Sequence, residues 1–182
     1  MIDRSEALNW IKKHVKDPET LKHTVMVAAI MKGVADRLGE DTGLWEVVGI
    51  LHDFDYELMD GDFDKHGLIA ADLLADVLPD EAIHAIMAHN TRISVPAESK
   101  MDQALIAADA VSHLLEELIE PKKRFSTVNV RSLRRKIDES GVTTTSGRFI
   151  SPDIIKLCCE GLCLSVEEFL AIGLNSTSII KH

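Results

Sequence analysis

Apolar residues recur along this chain at the three- and four-residue spacing of amphipathic helices, and capping signals divide the pattern into segments. Asp3 and Glu6 read as a capping box ahead of Ala7, Leu8, Ile11 and Val15, and Asp17-Pro18 supplies a cap and an N1 proline for a second helix. That helix carries Leu21, Val25, Ala28, Ala29 and Val34 to Gly39, with His23 on its apolar, inward face. Thr42 begins a third helix through Leu44, Val47, Val48 and Leu51, which delivers His52 and Asp53 at its end. The acidic string FDYELMDGDFDK has no helical period and reads as a loop over those two residues. His66 opens a helix with Ile69, Ala70, Leu73, Leu74 and Val77, closed by Pro79, and Asp80 caps a short helix that reaches His89. After a loop from Thr91 to Lys100, Asp102 caps a strongly apolar helix from Leu105 to Leu118, stopped by Pro121 and holding Asp109 in its middle. Val130 to Glu139 reads as a basic amphipathic helix, SGVTTTSGRF as a polar loop, and Ser151-Pro152 and Ser165-x-x-Glu168 as the starts of two closing helices. The expected fold is an all-α, mostly antiparallel bundle of about eight helices.

Composition narrows the setting. A length of 182 residues with 46% apolar content suits one domain with one core. No stretch approaches the roughly 20 apolar residues of a membrane span, and the N-terminal residues alternate charges, so a soluble, cytoplasmic protein with no membrane partner is expected. A formal charge of −10 disfavours extended nucleic acid, whose phosphates are held by clustered Lys and Arg. The basic stretch of Lys122, Lys123, Arg124, Arg131, Arg134, Arg135 and Lys136 is a local exception, read as a solvated helix face ahead of a binding patch. Cys158, Cys159 and Cys163 cannot pair evenly; Cys159 and Cys163, at i and i+4 of an expected helix, read as small hydrophobes ahead of half a metal site or a redox pair.

The chemistry gathers at His52-Asp53. Adjacent His and Asp offer a metal an imidazole nitrogen and a carboxylate oxygen, and His23, His66, His89 and Asp109 can complete one or two coordination shells. Asp109 carries the strongest physical argument. A carboxylate among alanines on an apolar helix costs several kcal/mol, roughly, unless it is paired or binds a cation. The spacings of 29, 14 and 23 residues between the four histidines match no local zinc motif. His14, His84 and His182 read as structural or surface residues.

The ordered series His23, His52-Asp53, His66, His89 and Asp109 resembles the HD-domain superfamily of metal-dependent phosphohydrolases, in particular its HDIG-type members with a two-metal site. The resemblance spans about residues 20 to 115 and implies an HD-type helical bundle with additional C-terminal helices. Residues 1–182 then form a single domain, with a metal-binding core of about 18–120 and a helical extension of about 121–182. It implies that His23, His52, Asp53 and Asp109 hold one divalent ion, and His66, His89 and a bridging Asp53 a second, drawn from Fe, Mn, Zn, Co, Ni or Mg. Asp55 stands where the named motif has Gly, and Tyr56 where the cyclic-dinucleotide branch has Lys, so that branch is disfavoured. The HDxxxED pattern of alarmone hydrolases is not met either, and Asn90 follows His89 where many relatives have a second His.

The expected reaction is hydrolysis of a phosphate ester of a nucleotide or other small phosphorylated metabolite by a metal-activated water. Two divalent ions bring about +4 against about −2 from two aspartates, so the pocket stays positive inside an acidic protein and an anionic substrate can dock. Asp53 joins the catalytic set as the bridge, while Asp55 and Glu57, expected as exposed loop acids, are candidates for orienting water or protonating the leaving oxygen. Lys65, Asn90 and Arg92 flank ligands and are candidates for binding substrate, and His113, one turn after Asp109, for supporting it. Two other readings use the same residues: a mixed-valent di-iron oxygenase, and a non-catalytic, metal-stabilised binding module. The C-terminal third carries no catalytic signature and is left as a lid, a buttress or a homodimer face.

Overall fold

Side-chain caps set the first three helices. Asp3 accepts the Glu6 N–H while Glu6 accepts the Asp3 N–H, both at 2.9 Å, opening α1 (Arg4–His14). Asp17 accepts the Thr20 N–H at 2.8 Å and opens α2 (Pro18–Leu38), which Gly39 closes at φ 73°. Asp41 accepts the N–H groups of Gly43 and Leu44 to start α3 (Thr42–Leu51), which ends on His52. The computed structural model describes residues 2–118, 128–140, 142–143 and 149–178. Among them the chain continues through α4 (Leu68–Leu74), α5 (Asp80–Ala88), α6 (Lys100–Leu118), α7 (Val130–Ser140), the strands β1 (Val142–Thr143) and β2 (Phe149–Ile150), α8 (Pro152–Gly161) and α9 (Val166–Thr177). The fold is all-α, an HD-type bundle with extra C-terminal helices.

Helix α2 lies at the centre, against α3, α6 and α9, while α8 packs on α6, α5 on α6, and α7 on α9. Ile30, Met31, Leu105, Leu114, Leu115 and Phe169 are fully buried between these helices, each worth about 1.5–3 kcal/mol of apolar transfer. Gly49 decides how closely α2 and α3 approach. A Cβ there would stand 2.5 Å from Ala28 Cα, so the two backbones touch. That contact brings His23, five residues before Ala28, beside His52, three residues after Gly49; their ring centroids are 5.3 Å apart. Behind this pair, buried Glu46 on α3 takes Arg4 of α1 at 2.7 Å and Lys32 of α2 at 2.8 Å. No described helix is long and apolar enough to cross a membrane.

The structure departs from the expected elements where propensity is weakest. His66 does not open α4: Gly67, at φ 82°, is the cap, and the helix ends at Leu74 rather than running toward Pro79. Asp80 is the first residue of α5 after Pro79, and not its cap. Helix α6 begins at Lys100, and Asp102 closes its start from within the first turn: it accepts the N–H groups of Glu98 and Ser99 at 2.8 Å each, while Ser99 Oγ accepts its own N–H. The polar SGVTTTSGRF stretch holds β1 and the start of β2, which pair antiparallel with Val142 opposite Ile150 and Thr143 opposite Phe149, and two-residue strands are too short to show alternation. Cys163 lies beyond α8 at φ 55°, so it shares no helix face with Cys159. The expected stop at Pro121 and the basic residues Lys122 to Arg124 fall outside the described residues.

Three basic residues of α7 are paired with acids of α7 and its neighbours. Arg134 pairs with Asp138 at 2.9 Å and Glu167 at 3.0 Å, Lys136 with Glu117 at 2.7 Å, and Arg135 with Glu139 at 3.7 Å. Paired charges on a solvated face contribute little stability.

Two outcomes follow from this packing. Gly49→Ala should lower unfolding stability by about 1–3 kcal/mol in urea, since the α2 backbone has no room to yield; a variant within about 0.5 kcal/mol of wild type would refute the close-approach account. In native protein a thiol reagent should modify exposed Cys163 promptly. Buried Cys158 and Cys159, whose thiols burial pushes up to about 11 and about 12, should react only on unfolding, and equal rates at all three would refute this.

Candidate metal centre

Five segments converge on one point. Helix α2 brings His23, the end of α3 brings His52 and the following turn Asp53, the residue pair before α4 brings His66, the C-cap of α5 brings His89, and the middle of α6 brings Asp109. All six are buried, His52 completely. Each candidate ligand therefore sits at a helix end or on an inward stripe, where the backbone that carries it is fixed by packing.

The hydrogen bonds of the imidazole rings share one direction. His52 Nδ1–H donates to Gly49 O at 2.8 Å, His66 Nδ1–H to Asp55 Oδ1 at 2.8 Å, and His89 Nδ1–H to Ile86 O. The Ser112 hydroxyl donates to Asp109 O, which leaves its oxygen to accept His23 Nδ1–H at 2.9 Å. In all four rings the outer nitrogen is thereby assigned the proton, and Nε2 is turned inward.

Those inward nitrogens face carboxylate oxygens. Asp53 Oδ1 lies 3.2 Å from His66 Nε2, 3.4 Å from His52 Nε2 and 3.9 Å from His89 Nε2, while Oδ2 lies 3.7 Å from His23 Nε2. Asp109 Oδ1 is 3.1 Å from His23 Nε2, and the Nε2 atoms of His66 and His89 are 3.0 Å apart. Lone pairs meeting at such distances repel unless a cation lies between them. His23 Nε2 and His52 Nε2 are buried with no hydrogen-bond partner, a costly state for a polar atom. Bonds of about 2.0–2.1 Å to a common ion would place adjacent ligand atoms about 3 Å apart. The donor set thus fits divalent metal. Three sets of ligand atoms each lie within 4.8 Å of one another: His23, His52 and Asp53; Asp53, His66 and His89; and His23, Asp109 and His113. Asp53 belongs to two of them.

The electrostatics follow the same geometry. Burial alone would raise Asp53, but the His52, His66 and His23 imidazoles hold its carboxyl well below the usual carboxylate range. Burial pushes His52 down, and His89 down to about 3 with help from neighbouring His66 and His52. Burial also opposes charge on His66, yet its hydrogen bonds to Asp53 and Asp55 win and raise it to about 10. With no metal bound, a proton on His66 stands where the carboxylates call for a cation.

The flanking candidates are placed differently from one another. Asp55, expected as an exposed loop acid, is fully buried: Oδ1 accepts from His66, and Oδ2 accepts the N–H groups of Gly67 and Ala70 at 2.8 and 2.9 Å. Glu57 is exposed, and its carboxylate accepts the N–H groups of Lys16 and Asp17 at 2.6 and 2.9 Å, tying the loop to the start of α2. Asn90 is buried; its amide donates to Phe63 O and His66 O and accepts the Arg92 N–H, so it pins the loop that carries His66. Lys65 is exposed and pairs with Asp62 at 3.0 Å. The Arg92 guanidinium, also exposed, lies 5.2 Å over the Phe63 ring. His113 stacks on His23 at 4.2 Å and meets Asp109 and Glu116 at 3.4 Å each; those acids raise it to about 10 against its burial. Ser112 and Glu116 were not foreseen, although both lie on the Asp109 side of α6, three and seven residues on.

Among known proteins, the model of the HD domain matches residues 20–122, more than half of the chain and all six converging positions. No curated protein and no solved structure matched the chain. The converging His and Asp acceptors agree with that match, and the chain accordingly belongs to the HD-domain family, the superfamily of metal-dependent phosphohydrolases with HDIG-type members, and is an enzyme of that chemistry.

Proposed function

We propose that the centre holds two divalent ions and that the enzyme hydrolyses a phosphate ester of a nucleotide or another small phosphorylated metabolite. The sharing of Asp53 between two ligand sets carries this reading: His23, His52, Asp53 and Asp109 would hold one ion, and Asp53, His66 and His89 the other. Bound ions of this kind lower the pKa of coordinated water toward about 7 and offset charge developing on phosphoryl oxygens. The protein's own part is positional. Helices α2, α3, α5 and α6 fix the ligands before substrate arrives, and the Nδ1–H bonds keep each imidazole lone pair aimed inward.

Substrate would be met by the exposed cations on the ligand-bearing loops. Lys65 stands beside His66 and Arg92 three residues beyond His89; a phosphate could draw Lys65 from its solvent-exposed pair with Asp62, whose worth is small. Asp55, Glu57 and Asn90 are assigned to support, because the hydrogen bonds of their side chains are made to ligand loops and backbone.

Full-length protein loaded with Mn, Co, Fe, Ni, Zn or Mg and offered a panel of nucleotides and small phosphate esters should release phosphate. His52→Ala and Asp53→Ala should fall to background while keeping helical circular dichroism. A fully metal-loaded protein inert across the panel would overturn the reading, and two bound irons with substrate-dependent oxygen uptake would replace it with an oxygenase. Metal should also raise the melting temperature, since ion at 100 times its Kd stabilises the folded state by about 2.7 kcal/mol. Asp53→Asn should lose most of that rise; an undiminished rise would place the ions elsewhere.

A further inference from the structure

Asp55 has only a supporting place in the two-metal reading, and its surroundings define that place more closely. It is a fully buried carboxylate, two residues after the bridging Asp53, and has no ligand role in that reading. Both of its oxygens are engaged, in three hydrogen bonds of 2.8, 2.8 and 2.9 Å. One donor is His66 Nδ1–H; the other two are the N–H groups of Gly67 and Ala70, which have no carbonyl partner of their own at the start of α4. No side chain fits at Gly67: a Cβ there would lie 2.7 Å from Ile86 O, the carbonyl oxygen that accepts from His89.

We infer that Asp55 is a positioning residue for the second metal, fixing His66 with Nδ1 protonated and Nε2 turned into the centre. The inference rests on the two-metal reading and deepens it. One turn of chain, His52-Asp53-Phe54-Asp55, then serves both ions: Asp53 as their common ligand, Asp55 by orienting a ligand of the second. A carboxylate suits this place because it only accepts, and three donors point at it. An amide does not. In Asp55→Asn the oxygen can satisfy Gly67 and Ala70, which leaves the NH2 against His66 Nδ1. His66 relieves that clash by moving its proton to Nε2, the atom the metal needs. Loss of such orienting partners weakens metal binding about 10–100-fold.

Cobalt(II) titration of the full chain, followed by calorimetry and elemental analysis, tests this. Wild type should take two ions. Asp55→Asn should keep the affinity of the first and bind the second 10–100-fold more weakly, as His66→Ala should do more severely; wild-type affinity for both ions in Asp55→Asn overturns the inference. Nitrogen NMR of zinc-loaded wild type gives a readout that does not depend on a variant folding. His66 should show a protected Nδ1–H and a zinc-shifted Nε2, and zinc on Nδ1 overturns the assignment. If wild type takes a single ion, the two-metal reading fails, and the placement is judged on the ring alone: a protected Nδ1–H sustains it and an unprotonated Nδ1 refutes it.

Discussion

Acceptor facing acceptor in a dry interior is the constraint on which this molecule is organised. Four imidazole nitrogens are turned toward two carboxylates at 3.1 to 3.9 Å, inside a shell of buried apolar helices. Water cannot screen these groups, and the outer nitrogens are held so that the rings do not turn away. A hydrophobic core would be more stable without them. The chain retains an arrangement that only positive charge relieves, which is what suits it to ions and, through them, to anionic esters.

Much of this was legible because each ligand sits where a helical pattern meets an anomaly. Asp109 was conspicuous as a charge among alanines, and the structure surrounds it with His23 and His113. The caps at Asp3, Asp17, Ser151 and Ser165 are local hydrogen-bonding patterns, and local patterns survive in sequence. Asp55 departs from the exposed position expected of it because a loop position does not report burial: in the FDYE segment the first acid, Asp55, points into the protein, while Tyr56 is only half-buried and the second acid, Glu57, is exposed. Tertiary partners decided this, above all His66, eleven residues away. The hairpin between α7 and α8 and the short α4 were likewise settled by neighbours rather than by periodicity.

The C-terminal helices do not bring ligands, but they touch the helices that do. Helix α8 lies on α6, which carries Asp109, and α9 lies on α2, which carries His23. At Gly33 on α2 an added Cβ would run into Ser176 of α9, and at Gly173 on α9 one would meet Val111 of α6 at 3.3 Å, so both contacts are close. The extension therefore buttresses the two helices that carry His23 and Asp109. Arg134, Arg135 and Lys136 on α7 are paired with nearby acids, in keeping with a structural face.

The wide spacing of the six converging residues along the chain, from position 23 to position 109, has a kinetic meaning. No short fragment holds enough of them to grip an ion, so the grip exists only after distant segments have closed on one another, which is the slow part of folding. An ion bound there acts as a late-forming staple across four helices. It would leave the rate of folding nearly unchanged and slow the rate of unfolding, giving the enzyme a lifetime set by how tightly it holds its metal.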